Sequence, residues 1–422
     1  VTRPPAPAAA LGQPSAPRLA VLALGTFAIG TDGFVIAGVL PGIARDTHAT
    51  LGAAGLLVTA FALVYAIAAP LLTAASARVE RRTILIAGML VLAASNAAAG
   101  LAPGYGWLMG ARVAAAIGAA MYSPIALATA VQLSPASRRG RAVSLVLAGM
   151  TVSLVLGVPL GSLLGALGSW RWTFGLVAGL AAASGLGVAV LLPCVPAGPA
   201  SSLASRLALL RRPAVVANLG ATFVWITGAF TAYTYIAPIL AGATSWRGPT
   251  TSALLLLYGA AAFAGNALGG RAADRWGARR SIVVALTSLV ASLAAVGYAT
   301  HIGPPDGVPV VIVGLIAWAA AGWSLTPAQS HRLVAMTPAA GPEVLSLNTS
   351  AVYFGIAAGA ALGGQVLTRL GPALLGPAAA GLELLALLVV VSVRSRTPGA
   401  PAGPASRPRA QMPAGPPVLR RP

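Results

Sequence analysis

The sequence predicts an all-α membrane protein whose twelve spanning helices form two related bundles of six. Three observations lead there. The chain is 57% hydrophobic and 8% charged, with a mean hydropathy of +0.85, whereas soluble domains are about half apolar and about a quarter charged. Apolar runs of about 20 residues, the length that crosses a bilayer as a helix, recur from end to end. The second half of the chain also repeats features of the first at a constant spacing.

The runs lie near residues 19–40, 52–72, 83–101, 107–131, 142–167, 172–193, 214–240, 250–270, 281–300, 308–328, 344–367 and 373–393. Arginines in the gaps set their orientation. Of 27 basic residues, all arginine, 22 fall on one side, which is therefore the cytoplasmic side and holds both termini. Arg45, Arg171, Arg247 and Arg369 fall on the other, and Arg112 lies within the fourth run. The net charge of +20, which in a soluble protein suggests nucleic acid, is thus a topology signal, and no nucleic-acid partner is expected. A single cysteine, Cys194, excludes an intrachain disulfide, and the scattered His48, His301 and His331 form no ligand set, so neither metal nor cofactor is expected. The first run is long enough to stay in the membrane, so no cleaved signal is needed.

A polar gap at 196–212 separates an N-terminal bundle, 18–195, from a C-terminal bundle, 213–393. Residues 1–17 and 394–422 are rich in Pro, Ala and Arg without apolar periodicity, and disordered tails are expected there. An offset of 198 relates the halves: Arg81-Arg82 maps onto Arg279-Arg280, Gly30 onto Gly228, and Gly157, Gly161 and Gly165 onto Gly355, Gly359 and Gly363. A duplicated six-helix unit predicts a cavity between the bundles near the bilayer midplane, the plan of a secondary transporter.

Two motifs carry a resemblance. Gly270-Arg271-Ala272-Ala273-Asp274-Arg275-Trp276-Gly277-Ala278-Arg279-Arg280 fits the pattern G-x-x-x-D-R-x-G-x-R-R. Its first-half copy keeps Arg78, Arg81 and Arg82 but has Thr73, Ala77 and Glu80 at the expected Gly, Asp and Gly. The second motif is Gly149-x7-Gly157-Val158-Pro159-Leu160-Gly161 in the fifth span. Through them the chain resembles the major facilitator superfamily over about 18–393. It looks most like the twelve-span drug:proton antiporters, the branch of arabinose-type, nucleoside and chloramphenicol exporters. The resemblance implies the major facilitator fold and a loop in which Asp274, Arg275, Arg279 and Arg78 latch one transport state through charge-assisted bonds. The glycines allow close helix approach, and Pro159 weakens the helical ladder.

Coupling residues follow partly by elimination. Of the seven acids only Asp32 and Glu383 lie within spans, where a charge is costly and faces a cavity or partner. Asp32 is about 12 Å from the outer end of its span and Arg112 about 8 Å from the same surface, at 1.5 Å per residue, so the two can meet. In the family fold their helices line the central cavity, and Arg112 occupies the family's fourth-span arginine position. Burial and a guanidinium act on a carboxyl's proton in opposite senses, so a pair whose hydration changes between states can exchange a proton; the other reading is a structural hydrogen bond. Relatives commonly carry a glutamate where this chain has Gly33, and one position turns a side chain by about 100°. Glu383, in the twelfth helix, which is peripheral in the family fold, is expected to pack or to be a shielded protonated acid.

For substrate, polar and aromatic residues at cavity depth are Phe34, Tyr122, Asn218, Trp225, Tyr233, Trp318, Trp323, Asn348 and Phe354. Such faces suit an amphipathic organic compound. The expected protein is a monomeric, proton-coupled exporter of a small antibiotic or drug-like molecule in the cell membrane. Export of a sugar or nucleoside metabolite is the neighbouring reading, and a non-transporting receptor the reading from another class. An enzyme is not expected, because no acid/base cluster or nucleophile–base pair falls within the spans.

Overall fold

The computed structural model describes residues 16–197 and 203–392. The expected disordered tails lie outside the described residues, except that Ala16 and Pro17 begin the first helix. Among the described residues all regular structure is helical. Eleven helices are long and apolar enough to span, and a pair bent by 49°, Ala16–Phe34 with Ile36–Asp46, makes the twelfth. These are numbered here as spans 1 to 12: span 1 is that pair, followed by Leu51–Arg78, Arg81–Gly100, Tyr105–Gln132, Ala136–Leu167, Trp170–Leu191, Pro213–Tyr233, Pro249–Trp276, Ala278–Ile302, Gly307–Met336, Pro338–Leu370 and Pro372–Ser392.

Within the first six, span 3 packs on spans 4 and 6, span 1 on 5 and 6, and span 2 on 4. The second six repeat the pattern: span 9 on 10 and 12, span 7 on 11 and 12, span 8 on 10. Span 11 on span 2 and span 8 on span 5 join the two groups. The repeat extends to helix breaks. Span 1 breaks at Val35, with Pro41 in its second piece. Span 7 breaks at Thr234–Tyr235 and continues as Ile236–Thr244, which contains Pro238. A proline lacks the N–H that would continue the ladder.

Several helices outrun their apolar cores. Span 8 continues to Trp276, so Gly270–Trp276 is helical rather than the expected loop. The chain turns at Gly277, whose φ of +80 suits a residue without Cβ. The gap between the bundles also carries a short helix, Leu203–Ala208.

The repeated glycines explain how spans 1 and 7 are seated. A Cβ at Gly149 would strike Ala23 and Thr26, one at Gly157 Thr31, one at Gly161 Val35, and one at Gly165 Val39, all in span 1. In the second bundle Gly355, Gly359 and Gly363 of span 11 face Ile226, Thr227 and Thr231 of span 7 in the same way. Span 5 opens into one wide π-type turn over Ser153–Gly157, just before Pro159. The missing proline N–H frees a backbone carbonyl there, which such a turn relieves.

Candidate functional site

Asp32 and Arg112 meet. Arg112 Nη1 donates to Asp32 Oδ1 at 2.5 Å and Nη2 reaches the Asp32 carbonyl at 3.4 Å. Both side chains are sealed, at 0% and 1% exposure. Asp32 sits on the last turn before the break in span 1, and Thr31 beside it is clamped by Gly157. The neighbouring Asn96 amide donates to Leu92 O at 3.0 Å, and Asp32 Oδ2 and Arg112 Nε are left without hydrogen-bond partners. Asp32 turns toward span 4, whereas at Gly33 only Phe61 comes within 4.0 Å of where a Cβ would stand.

A line of aromatic rings connects this pair to the other bundle. The Arg112 guanidinium lies over Phe61 at 4.4 Å. Phe61 stacks on Tyr65 at 6.4 Å, and Tyr65 stacks on Tyr353 of span 11 at 3.8 Å. Tyr65 is also the inner end of a cavity of about 760 Å³ between the bundles. From there the wall passes Ser123, Thr349 and Ser350 to Arg81, Ala197 and Arg206 at the arginine-rich end.

The opposite end is closed. Ser252 Oγ donates to Ser162 Oγ at 3.0 Å, and Gly259 lies against the Leu154 carbonyl. Gly52 packs on Gly364, and Gly55 on Tyr235. Below these contacts Phe34, Phe230, Tyr233 and Trp323 form one ring cluster with centroids 5.5–6.1 Å apart. Tyr258 extends it to Trp318.

The nine residues expected to face substrate are distributed otherwise than cavity depth suggested, and none lies on the wall of the large cavity. Phe34, Tyr233, Trp318 and Trp323 belong to the ring cluster that plugs the closed end. Tyr122 is a packing residue of span 4, donating to Leu22 O at 3.1 Å above Gly25. Phe354 is 39% exposed, in a groove with Leu63 and Phe223 that faces away from the cavity. Asn218 and Asn348 are tied together by residues that sequence reasoning missed. Thr222 Oγ1 donates to Asn348 Oδ1 at 2.9 Å, and Gln329 Nε2 donates to Asn218 O at 2.9 Å and to Thr222 Oγ1 at 3.0 Å. Trp225 is buried one turn beyond Thr222, with its indole N–H unpaired. Rotation about the helix decides all of these placements, and depth alone does not carry it. Repeated hydroxyls at Ser346, Thr349 and Ser350 were the missed signal for the wall of this cavity.

Asp274 and Arg275 are exposed and, among the described residues, form no ion pair. Arg279 donates to Val391 O at 3.1 Å, and Arg78 is exposed at the end of span 2. Glu383 is fully buried between spans 12 and 7, with Oε1 2.8 Å from where a Gly228 Cβ would stand and neither oxygen hydrogen-bonded. An amide of the same shape would lose no partner. Glu383→Gln is therefore expected to keep the parent's melting temperature and transport; loss of coupled transport would instead move the coupling acid to span 12.

Twelve spans, two repeated bundles and a cavity between them, closed at one end, define a secondary transporter. The model of the Major Facilitator Superfamily matches residues 22–326 and 219–422, and the chain belongs to that family. It is 34% identical over 349 residues to the MFS-type transporter YbcL of Bacillus subtilis, covering 82% of this chain and 88% of that one. It is 32% identical over 382 residues to the inner membrane transport protein YdhP of Escherichia coli, covering 90% and 96%. A D-xylose–proton symporter shares the fold at a TM-score of 0.74 and 17% identity, over 89% of this chain and 96% of that one. The nucleoside transporter NupG shares it at 0.70 and 12%, over 89% and 98%. The protein is a multi-pass membrane transporter of a small molecule, and its family and fold are not those of enzymes.

Proposed function

We propose that this chain is a proton-coupled exporter of the drug:proton antiporter type, moving a small antibiotic or drug-like compound out of the cell as a monomer. The arginine-rich end is cytoplasmic, with both termini on that side. The observation that carries the reading is the sealed Asp32–Arg112 pair, set between a cytoplasm-facing cavity and a closed outer end. When the outer contacts part, Asp32 meets external water and takes a proton. The neutral acid then holds Arg112 less strongly, and the guanidinium is free to shift on Phe61. Because Phe61, Tyr65 and Tyr353 are stacked in series, that shift reaches the contact between the bundles. Substrate enters the cavity from the cytoplasm and leaves when the bundles rock.

A drug-like compound suits a wall of Ala, Val, Leu and Ile side chains with a few hydroxyls. A sugar would need more free hydrogen-bonding groups, and the amides nearby are already engaged: Asn218 donates to Ala214 O and Met336 Sδ, Gln329 donates to Asn218 O and Thr222 Oγ1, and Asn348 Oδ1 accepts from Thr222. Asp274, exposed here, would engage its arginines in the outward-open state, where the cytoplasmic ends of the spans close together.

A growth-inhibition screen across antibiotic classes tests the function. Cells expressing the protein should tolerate at least one class better than empty-vector cells and should accumulate less of that compound. Equal accumulation across the screen would remove the exporter reading.

A further inference from the structure

We propose that the transported compound is an amphipathic organic anion, drawn into the cavity by Arg81 and Arg206. Among the described residues the cavity wall holds these two guanidiniums and no carboxylate. Arg206 is 8% exposed and donates to Ser346 Oγ, another wall residue, at 3.2 Å. Arg81 is half-buried, and its buried Nη1 has no hydrogen-bond partner. Topology accounts for arginine at this end of the molecule; it does not require a wall free of acids.

Among the described residues no acid forms an ion pair with Arg81. Glu80 precedes Arg81 but forms no ion pair with it among the described residues, accepting instead from Thr83 Oγ1 at 3.1 Å. Glu343 follows the wall residue Pro342 and is not itself on the wall. Asp32 lies beyond Tyr65 and is neutralised by Arg112 at 2.5 Å. A second, smaller void beside it, lined by Gly33, Phe34, Phe61 and Tyr353, also has no charged lining. An amphipathic cation entering this space meets like charge and, among the described wall residues, no carboxylate. A carboxylate or sulfonate gains charge-assisted, fork-shaped hydrogen bonds from arginine, while its apolar body covers the Ala, Val and Leu wall. The inside-negative membrane potential also favours outward movement of an anion.

The proposal rests on the exporter reading only in taking this cavity as the substrate's. Binding is therefore measured without any gradient, so that a failure of proton coupling and a failure of anion selection give separate results. The full-length protein in nanodiscs is screened with ten amphipathic monoanions and ten monocations matched for size, together with fluorescein and rhodamine 6G, which share a xanthene core and differ in charge. Binding is read by thermal stabilisation and, for the dyes, by fluorescence polarisation. Anions should stabilise the protein and cations should not. The tightest anion should lose about tenfold or more in affinity in both Arg81→Gln and Arg206→Gln, the worth of one charge-assisted contact. Arg81→Lys should restore part of the loss. Stabilisation by cations equal to that by anions, no stabilising anion in the set, or anion binding unchanged in both glutamine variants would overturn the proposal.

Discussion

Inverted vesicles carrying Asp32→Asn should show no substrate-dependent collapse of a pre-formed pH gradient, whereas vesicles with the parent protein should collapse it. The amide cannot take up or release a proton in the working range, yet it keeps an oxygen for the Arg112 guanidinium, now 2.5 Å from Asp32 Oδ1. The variant should therefore remain folded and still bind substrate. Arg112→Ala separates structure from coupling. It strands a carboxylate with 0% exposure that has lost its guanidinium partner, and breaking a buried pair from one side costs about 3–5 kcal/mol. Its melting temperature should fall well below that of Asp32→Asn. Gradient collapse that persists in Asp32→Asn would end the assignment of coupling to this site.

Gly259→Val should drive the molecule out of the arrangement described here. A Cβ at Gly259 collides with the Leu154 carbonyl and comes within 2.8 Å of Val155 Cα. Both are backbone atoms of the other bundle, and no rotamer change can move them. Overpacking of this kind costs about 1–3 kcal/mol, which at about 1.4 kcal/mol per tenfold shifts the equilibrium toward the outward-open state by roughly five- to a hundredfold. Ser162 reports the change, since it is buried and bonded to Ser252 across the closed end. In a Cys194→Ser, Ser162→Cys background, an impermeant maleimide added to whole cells should label faster by that factor when Gly259→Val is present. An unchanged rate would mean that spans 5 and 8 do not form the outer gate.

The broad plan of this transporter is legible in one dimension because the bilayer imposes it. Every span must satisfy its backbone internally and present apolar side chains over a fixed length, and such runs can be counted. Duplication left the same trace at Gly157 and Gly355, at Arg81 and Arg279, and in the matching breaks of spans 1 and 7. Scarcity made Asp32 conspicuous, because a chain with seven acids placed only two in the membrane.

The site was less legible. Phe354 and Ser350 are one turn apart on span 11, yet the first faces outward beside Leu63 and the second lines the cavity. Nothing in the order of residues distinguishes them. The sequence by itself determined the number of spans, their repeat and the depth at which Asp32 and Arg112 lie. Only the tertiary structure decided how each helix is turned and how the bundles lean. Neighbouring helices lock that rotation through contacts such as Gly157 on Thr31 and Tyr65 on Tyr353, which join residues more than a hundred positions apart. Hydrophobicity fixes how deep a side chain sits, and packing fixes where it points.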